Sequence, residues 1–420
     1  MLKENWYSLG VKRIVSHSWK QTLWDGGPAK LSMIMDFFFS QEQKKLKAES
    51  RKIAKEYLLS KRSYYDETGE FPWDLVKIFA EAGLFKCFIS KEYGGDGGGV
   101  TEMSIVTEEL SRVCGGIALA FAGTGLGIYP LILFGNTEQK EKYLPDIARG
   151  KKLAAFGLTE PNAGSDAANI TTSARLVGDE YILNGTKQWI TNGGEAEVYT
   201  IIAMTDKTRG ARGASAFIVE KGFSGFSFGK KENKMGIRAS ATRELIFEDC
   251  RVPKKNLLGK EGMGFVIAMK TFDITRPGVA AQAVGIAQGA LDEAVTYAKN
   301  RVQFDKPISA FQAIQHKLAD MATLVEAARS LVYSVAIAID KGESKGSKES
   351  AMAKLFASDV AVKVTHEAVG ILGGYGYLRD YPVEKMMRDA KITQIYEGTN
   401  QIQKNIIALN LIKESAKKTD

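Results

Sequence analysis

The period of the hydrophobic pattern changes twice along this chain, and that double change restricts the architecture more than any single motif does. From residue 37 to about 147, apolar positions such as Leu46, Ile53, Ala54 and Tyr57 recur at three- and four-residue steps, the spacing of one buried helix face, and residues 73–82 repeat it. The glycine run at 93–99 lacks the Lys-Ser/Thr of a phosphate loop, so it reads as a tight turn between helices. Near Lys152 the pattern shortens to apolar or alternating runs at 153–158, 181–183, 199–204, 216–219 and 244–247, separated by Gly, Asn and Asp, which predicts a compact β sandwich or barrel. From Gly264 long helical periods return at 279–299, 311–340, 348–370 and 399–413, with a charged, glycine-containing loop at 341–348. A chain of 420 residues is too long for one ordinary core. The expectation is an α+β molecule: an N-terminal α-helical domain over 35–151, a middle β-domain over 152–262 and a C-terminal helical bundle over 263–420.

Several classes are disfavoured by what the sequence holds. Residues 113–137 carry no charge and match a bilayer span in length, but six elements of that stretch are Gly115, Gly116, Gly123, Gly125, Gly127 and Pro130, and no basic clusters flank it. A buried helix with close backbone contacts is the better reading. Residues 1–34 are mixed in charge, show no clear period and have no apolar signal core, so they read as an extension of unassigned role: either Met35 is the natural start or these residues form an added arm. Cys87, Cys114 and Cys250 are scattered and odd in number, as free packing thiols of a reducing compartment are. His17, His316 and His366 are too dispersed for a metal site, and no metal is expected. The formal charge of +8 suits polyanionic partners, among them nucleotides, coenzyme A and nucleic acid, without choosing between them.

Three segments carry chemistry. FGLTEPNAGSD, residues 156–166, runs a strand into a Pro-Asn-Ala-Gly turn and presents hydroxyls and backbone N–H groups together, as an anion site or a closed hairpin would. WITNGG, residues 189–194, sets an indole and a hydroxyl beside glycines, which suits a planar heterocycle as well as it suits a core tryptophan before a turn. In QIYEGTNQIQ, residues 394–403, Glu397 precedes Gly398 and the helix cap Thr399, which puts a carboxylate at the mouth of a helix. That position lowers its pKa and burial raises it; desolvation is expected to win once substrate is bound.

From about Met35 to the C-terminus the chain resembles the acyl-CoA dehydrogenase family, through FGLTEPNAGSD, KQWITNGG, FDITRPGVAAQAVGIAQGALDEAVTYAKNRVQF, ILGGYGY and YPVEKMMRDAKITQIYEGTNQIQ in the family's order. The resemblance implies a C-terminal four-helix domain, a homotetramer built as a dimer of dimers, and FAD between the β-domain and the bundle. It places Phe156, Leu158, Thr159, Gly164, Ser165, Trp189, Ile190 and Thr191 around the isoalloxazine, with Thr191 donating near flavin N5. Arg301, Gln303, Phe304, Phe311 and Gln312 would meet the pyrophosphate from a neighbouring subunit. Gly370, Ile371, Gly373 and Gly374 would pass the adenylate side, and Thr399 and Gln401 would close over it. Many relatives carry glutamine where this chain has Gly370, so only backbone contact is expected there. Ser165, Asp273, Arg276 and Gly398 match positions that contact the thioester portion of CoA.

Glu397 would be the catalytic base, and the position that carries the base in some branches of the family is Thr275 here, as in the medium- and short-chain arrangement. The resemblance further implies that the thioester oxygen accepts from the Glu397 N–H and a ribityl hydroxyl of FAD, and that electrons pass on to an electron-transfer flavoprotein. Small residues over 118–127 leave room for an acyl tail, and the absence of a charge there disfavours a terminal carboxylate. Short to medium straight chains are the first expectation, in a cytoplasmic prokaryotic setting, with a mitochondrial matrix enzyme still open. Branched or alicyclic substrates, an acyl-CoA oxidase and a DNA-binding relative of the fold are the alternatives.

Overall fold

The computed structural model describes residues 36–344 and 346–416. The expectations for residues 1–34 and for Met35 lie outside the described residues.

Among the described residues, six α-helices come first: α1 (Gln41–Ile53), α2 (Arg62–Thr68), α3 (Trp73–Glu81), α4 (Val100–Ser111), α5 (Gly115–Phe134) and α6 (Thr137–Ala148). Two of them start at capping boxes: Ser40 Oγ accepts from the Gln43 N–H while Gln43 returns to the Ser40 N–H, and Asn136 and Gln139 do the same for α6. The uncharged stretch forms α5. It is one of two helices among the described residues long and apolar enough to cross a membrane, and 72% of its most apolar window is buried inside the protein. Its glycines explain the burial. A Cβ on Gly127 would stand 2.4 Å from the Ala155 nitrogen, and one on Gly116 would press on the Ile237 backbone, so the helix lies directly against the strand Ala154–Gly157 and the Ile237 loop.

The middle section is an eight-stranded sheet with the order β6-β7-β3-β2-β4-β5-β8 and β1 paired to β4. Its strands are β1 (Ala154–Gly157), β2 (Ser173–Val177), β3 (Glu180–Thr191), β4 (Val198–Met204), β5 (Ala214–Glu220), β6 (Phe226–Lys231), β7 (Thr242–Pro253) and β8 (Leu257–Leu258). Every apolar run read from the sequence falls on a strand, but β2, β6 and β8 carried no such signal. Most residues of β2 and β6 are exposed or half-buried, and β6 ends in Gly229, Lys230 and Lys231, so neither has an apolar run to read, while β8 is only two residues long.

Helix α7 (Gly264–Asn300) opens the last section, followed by a short hairpin of β9 (Val302–Gln303) and β10 (Lys306–Pro307). Helices α8 (Gln312–Asp340), α9 (Ser347–Leu372), α10 (Val383–Ile392) and α11 (Asn400–Ala416) complete it. Pro277 sits inside α7 and has no N–H for the carbonyl four residues earlier, that of Asp273. Ser350 Oγ on α9 donates to that oxygen at 2.6 Å, so the gap in one helix becomes a tie to the next. Residues of the first helices and the sheet share one continuous hydrophobic core, whereas α7 to α10 form a second from Ala280 to Ala390. Cys87, Cys114 and Cys250 are buried free thiols.

Candidate active site

A cavity opens where α4, α5, the end of β3 and α7 meet the segment before α11. It encloses about 130 Å³ and about 860 Å³ of atom-free space when counted out to its mouth. Its lining brings together Phe156, Leu158, Thr159, Trp189, Ile190 and Thr191 with Thr275 and Glu397, from four stretches separated in sequence.

One wall is made by a bulge. The pairing of β3 with β7 shifts between Lys187 and Ile190, and Trp189 takes a φ of +59°, rare for a bulky residue. The shift turns the indole out of the sheet and leaves it 56% exposed, so Trp189 is not a core tryptophan. Beneath it, Lys187 is fully buried and bonds Glu160 at 2.6 Å, while Glu160 also accepts from the Thr171 and Thr172 N–H groups. Burial raises the Glu160 carboxyl, but Lys187 and these donors overcome that and hold it at about 2. Burial prevails for Lys187, which drops to about 8 because it has a single carboxylate partner. The pair therefore fixes the 158–172 loop to β3 with little net gain from the charges themselves. Gly123 faces Thr191, where a Cβ would stand 2.7 Å from the threonine methyl, and the Thr191 hydroxyl has no protein partner among the described residues. A flat heterocycle fits this wall: an exposed indole, a free hydroxyl and two positions, Gly123 and Gly278, that project no side chain.

Glu397 forms the opposite wall. Its φ of +51° is a left-handed conformation that a non-glycine residue holds only when its surroundings enforce it. The enforcement comes from donors to the backbone oxygens: Arg276 Nε and Gln403 Nε2 each reach the Glu397 carbonyl at 3.1 Å, and Gln403 Nε2 reaches that of Gly398 at 2.8 Å. Lys354 Nζ also bonds the Gly398 carbonyl, at 2.8 Å. The Glu397 N–H, by contrast, has no acceptor among the described residues. The residue is partly accessible because it lines the cavity, yet protein surrounds its carboxylate, and Thr275 Oγ1 donates to it at 2.7 Å. Burial raises its pKa to about 7, against the lowering effects of Thr275, Arg276 and Lys354. Desolvation wins here without substrate, earlier than the sequence reading required.

The far end of the cavity is closed by polar and apolar plugs. Gln282 donates to the Gly115 carbonyl at 3.0 Å and accepts from the Tyr396 hydroxyl, and both Gln282 and Tyr396 line the cavity. Met103 fills the space left by two glycines, since a Cβ on Gly125 or Gly278 would stand 2.9 or 2.8 Å from its sulfur or methyl. Neither residue was signalled by the sequence, because a glutamine and a methionine in helices look like any other core position.

A second cleft, of about 440 Å³, gathers Arg301, Gln303, Ile371, Gly373 and Gly374 with Tyr297 and Tyr375. The Arg301 guanidinium lies 5.4 Å over the Tyr375 ring, and added Cβ atoms on Gly373 or Gly374 would meet only open space. Gly370 is equally open, so a longer side chain would fit there.

Other predicted residues stand outside both linings. Gly164 and Ser165 are exposed in the turn after Glu160. Phe304, 86% exposed, packs edge-on against Phe311 beside Gln312 on the hairpin and the start of α8. Asp273, Arg276 and Gly398 sit around Glu397, where Arg276 approaches Asp273 at 3.7 Å and burial raises the Asp273 carboxyl. Thr399 caps α11 by accepting from the Ile402 N–H at 3.3 Å, and Gln401 is exposed on that helix. Among the described residues there is no group of three or more His, Cys, Asp or Glu able to hold a metal ion.

Three family models match the chain in order: the acyl-CoA dehydrogenase N-terminal domain over 40–151, its middle domain over 155–250 and its C-terminal domain over 262–412. A short-chain specific acyl-CoA dehydrogenase of Clostridium acetobutylicum is 50% identical over 376 residues, 89% of this chain and 99% of the relative. The solved structure of butyryl-CoA dehydrogenase from Megasphaera elsdenii superposes with a TM-score of 0.87 at 47% identity, covering 89% of this chain and 99% of that one. A chain in a structure of the electron transferring flavoprotein of Acidaminococcus fermentans, from work on flavin-based electron bifurcation, matches with a TM-score of 0.88 at 51% identity, covering 90% and 99%.

Proposed function

The chain belongs to the acyl-CoA dehydrogenase family, and we propose that Glu397 is the base with which it removes the α-proton of a short-chain acyl-CoA. The enzyme is an FAD-dependent oxidoreductase that converts an acyl-CoA thioester to the trans-2-enoyl-CoA, with an electron-transfer flavoprotein as electron partner. When bound, FAD supplies the two-electron acceptor for the β-hydride. The observation that carries the assignment of the base is the opposition of two cavity walls, a carboxylate held near neutrality on one side and an exposed indole with a free threonine hydroxyl on the other.

Each residue has a task that follows from its placement. A base with a pKa of about 7 is half ionised at neutral pH and still strong enough to take a weakly acidic proton. Thr275 orients the carboxylate through its 2.7 Å hydrogen bond. The Glu397 N–H, free of any intramolecular acceptor among the described residues, is available to the thioester oxygen, where charge gathers as the proton leaves. One such donor is worth about 3 kcal/mol at the transition state. Phe156, Leu158, Thr159, Trp189, Ile190 and Thr191 would hold the isoalloxazine. Gly164 and Ser165 would border it from the loop fixed by Glu160 and Lys187, with Ser165 also near the CoA chain. Arg276, Asp273 and Gly398 would serve the thioester side, through their hold on the Glu397 segment.

Arg301, Gln303, Ile371, Gly373 and Gly374 would receive the dinucleotide's phosphates and adenylate, with Gly370, Phe304, Phe311, Gln312, Thr399 and Gln401 completing that site between subunits of a homotetramer. The partly buried face of α8 is consistent with such an assembly, since only 39% of its most apolar window is covered within one chain. A cytoplasmic setting agrees with three free cysteines. Met103 closes the cavity within a few carbons of Thr275, because it packs against Gly278, three residues or about 4.5 Å beyond Thr275 along α7, and Gln282 stands a further turn on. Chains of about four to six carbons fit that reach.

Glu397→Gln tests the assignment. It should keep its FAD absorbance and its fold and lose at least about a thousandfold in turnover with butyryl-CoA. Activity within tenfold of the unmodified enzyme would remove Glu397 from the mechanism.

A further inference from the structure

Lys354 is the one fully buried lysine of the described residues that reaches no carboxylate in a hydrogen bond or ion pair. It projects from α9, is 0% exposed, and places its ammonium 2.8 Å from the Gly398 carbonyl and 2.9 Å from Asn400 Oδ1. A lysine is a costly way to satisfy two neutral oxygens, for which a buried hydroxyl or amide would serve. The neighbouring residues show what the position controls. Asn400 is the first residue of α11, and its amide is held in turn by Ser358 Oγ at 2.9 Å and Asp359 Oδ1 at 2.8 Å. Gly398 lies between Asn400 and Glu397 with a φ of +90°, so the clamp grips the short connection that carries the base.

We propose that Lys354 is a positioning residue for proton abstraction, clamping the Gly398 carbonyl and the Asn400 side chain so that Glu397 keeps its left-handed backbone and its carboxylate stays aimed into the cavity. The inference rests on Glu397 being the base. Lys354 also acts through charge. The charged groups that face this locus are Glu397, Arg276 and Asp273 from the loop and α7, and Asp359 from α9 itself. Burial pulls the lysine down to about 7, with Glu397 opposing that and Arg276 adding to it. The lysine and the carboxylate therefore titrate in the same range, and each favours the charged form of the other. Losing the ammonium leaves Glu397 with Arg276 as its remaining cation and shifts its ionisation upward.

The test uses the FAD-loaded enzyme and two replacements. Lys354→Met removes both the bonds and the charge, and Lys354→Gln can keep a bond to Gly398 without the charge. In Lys354→Met, kcat at pH 7 should fall about tenfold or more with KM changed less than about threefold, and the rising limb of kcat/KM against pH should move up by about one unit. Lys354→Gln should recover part of kcat but keep the shifted limb. Independently of turnover, infrared difference titration against Glu397→Gln should show the carboxyl band of Glu397 ionising at higher pH in both variants. Unchanged kcat, limb and band in folded, FAD-containing Lys354→Met would overturn the proposal, and so would global unfolding of Lys354→Gln, because a local clamp leaves the bundle intact. The control that separates this from the assignment of the base is Glu397→Gln in the native background: if it stays active, the base is misassigned, whereas if it is dead and Lys354→Met is unaltered, only the clamp is wrong.

Discussion

Glu108 and Glu397 are both carboxylates enclosed by helices, and burial acts on each as the largest influence, yet they end on opposite sides of the ordinary carboxylate range. At Glu108, on α4, Arg329 Nε donates at 2.8 Å and the Tyr333 hydroxyl at 2.7 Å, Lys47 adds a second nearby charge, and together they overcome desolvation and hold the carboxyl low. Arg329 is itself fixed by Gln288 and Glu326, so little of that cluster is left unmatched. Glu397 receives one neutral hydroxyl, from Thr275, while the two cations near it, Arg276 and Lys354, spend their hydrogen bonds on uncharged oxygens, the Glu397 and Gly398 carbonyls and the Asn400 amide. The difference teaches where stability and chemistry part. The same molecule can pair a buried acid fully and make it inert, or withhold the pairing and keep it reactive.

The strongest way to break this comparison is to remove a partner from the fully paired cluster. Arg329→Leu strands Glu108 and should lower unfolding free energy by about 3–5 kcal/mol, read by chemical denaturation, with a pH–rate profile that keeps its limb near 7 wherever the protein remains folded. A loss under 1 kcal/mol would mean that the cluster is not tightly coupled. The next effect has the opposite sign. Because the folded Glu397 binds its proton up to about pH 7 whereas an unfolded carboxylate releases it near 4.5, stability falls as pH rises through that window, and the penalty is complete above it. Glu397→Gln should therefore stabilise the protein by about 1–3 kcal/mol at pH 8 and by nothing below about pH 4.5. A variant less stable than the native protein at pH 8 would show that the site stores no such penalty. The smallest effect sharpens the boundary between the two regimes at Gln282, a polar side chain bonded through both its amide nitrogen and its oxygen on the cavity's own wall. Gln282→Ala should raise kcat/KM for octanoyl-CoA relative to butyryl-CoA by about tenfold and leave the limb near pH 7 in place.

Most of the fold was legible because it follows local periods. The helices on either side of the sheet and the strands with long apolar runs were visible, whereas β2 and β6 were not, since their half-exposed residues leave no run to detect, and β8 is only two residues long. The site was legible in part for a different reason. Glu397, Trp189 and Thr191 belong to short dense segments, so the residues that touch reactants could be named together. Lys354, Gln282 and Met103 lie in ordinary helical sequence, and their importance comes from meeting other segments at a distance. The strained backbone at 189 and 397 is invisible for the same cause: a tryptophan or a glutamate carries no local mark of left-handed geometry, which the bulge and the surrounding donors impose.

Helix α9 joins two of these distant ties. Ser350, Lys354 and Ser358 are spaced four residues apart and so share one face, from which the first holds the Asp273 carbonyl and the other two hold Gly398 and Asn400. The strand of contacts makes α9 a common chassis for the hydroxyl of Thr275 on one flank and the carboxylate of Glu397 on the other. Vibration or thermal expansion that displaces this helix carries both mountings with it, so their mutual alignment survives movements that would pull apart groups anchored to separate supports.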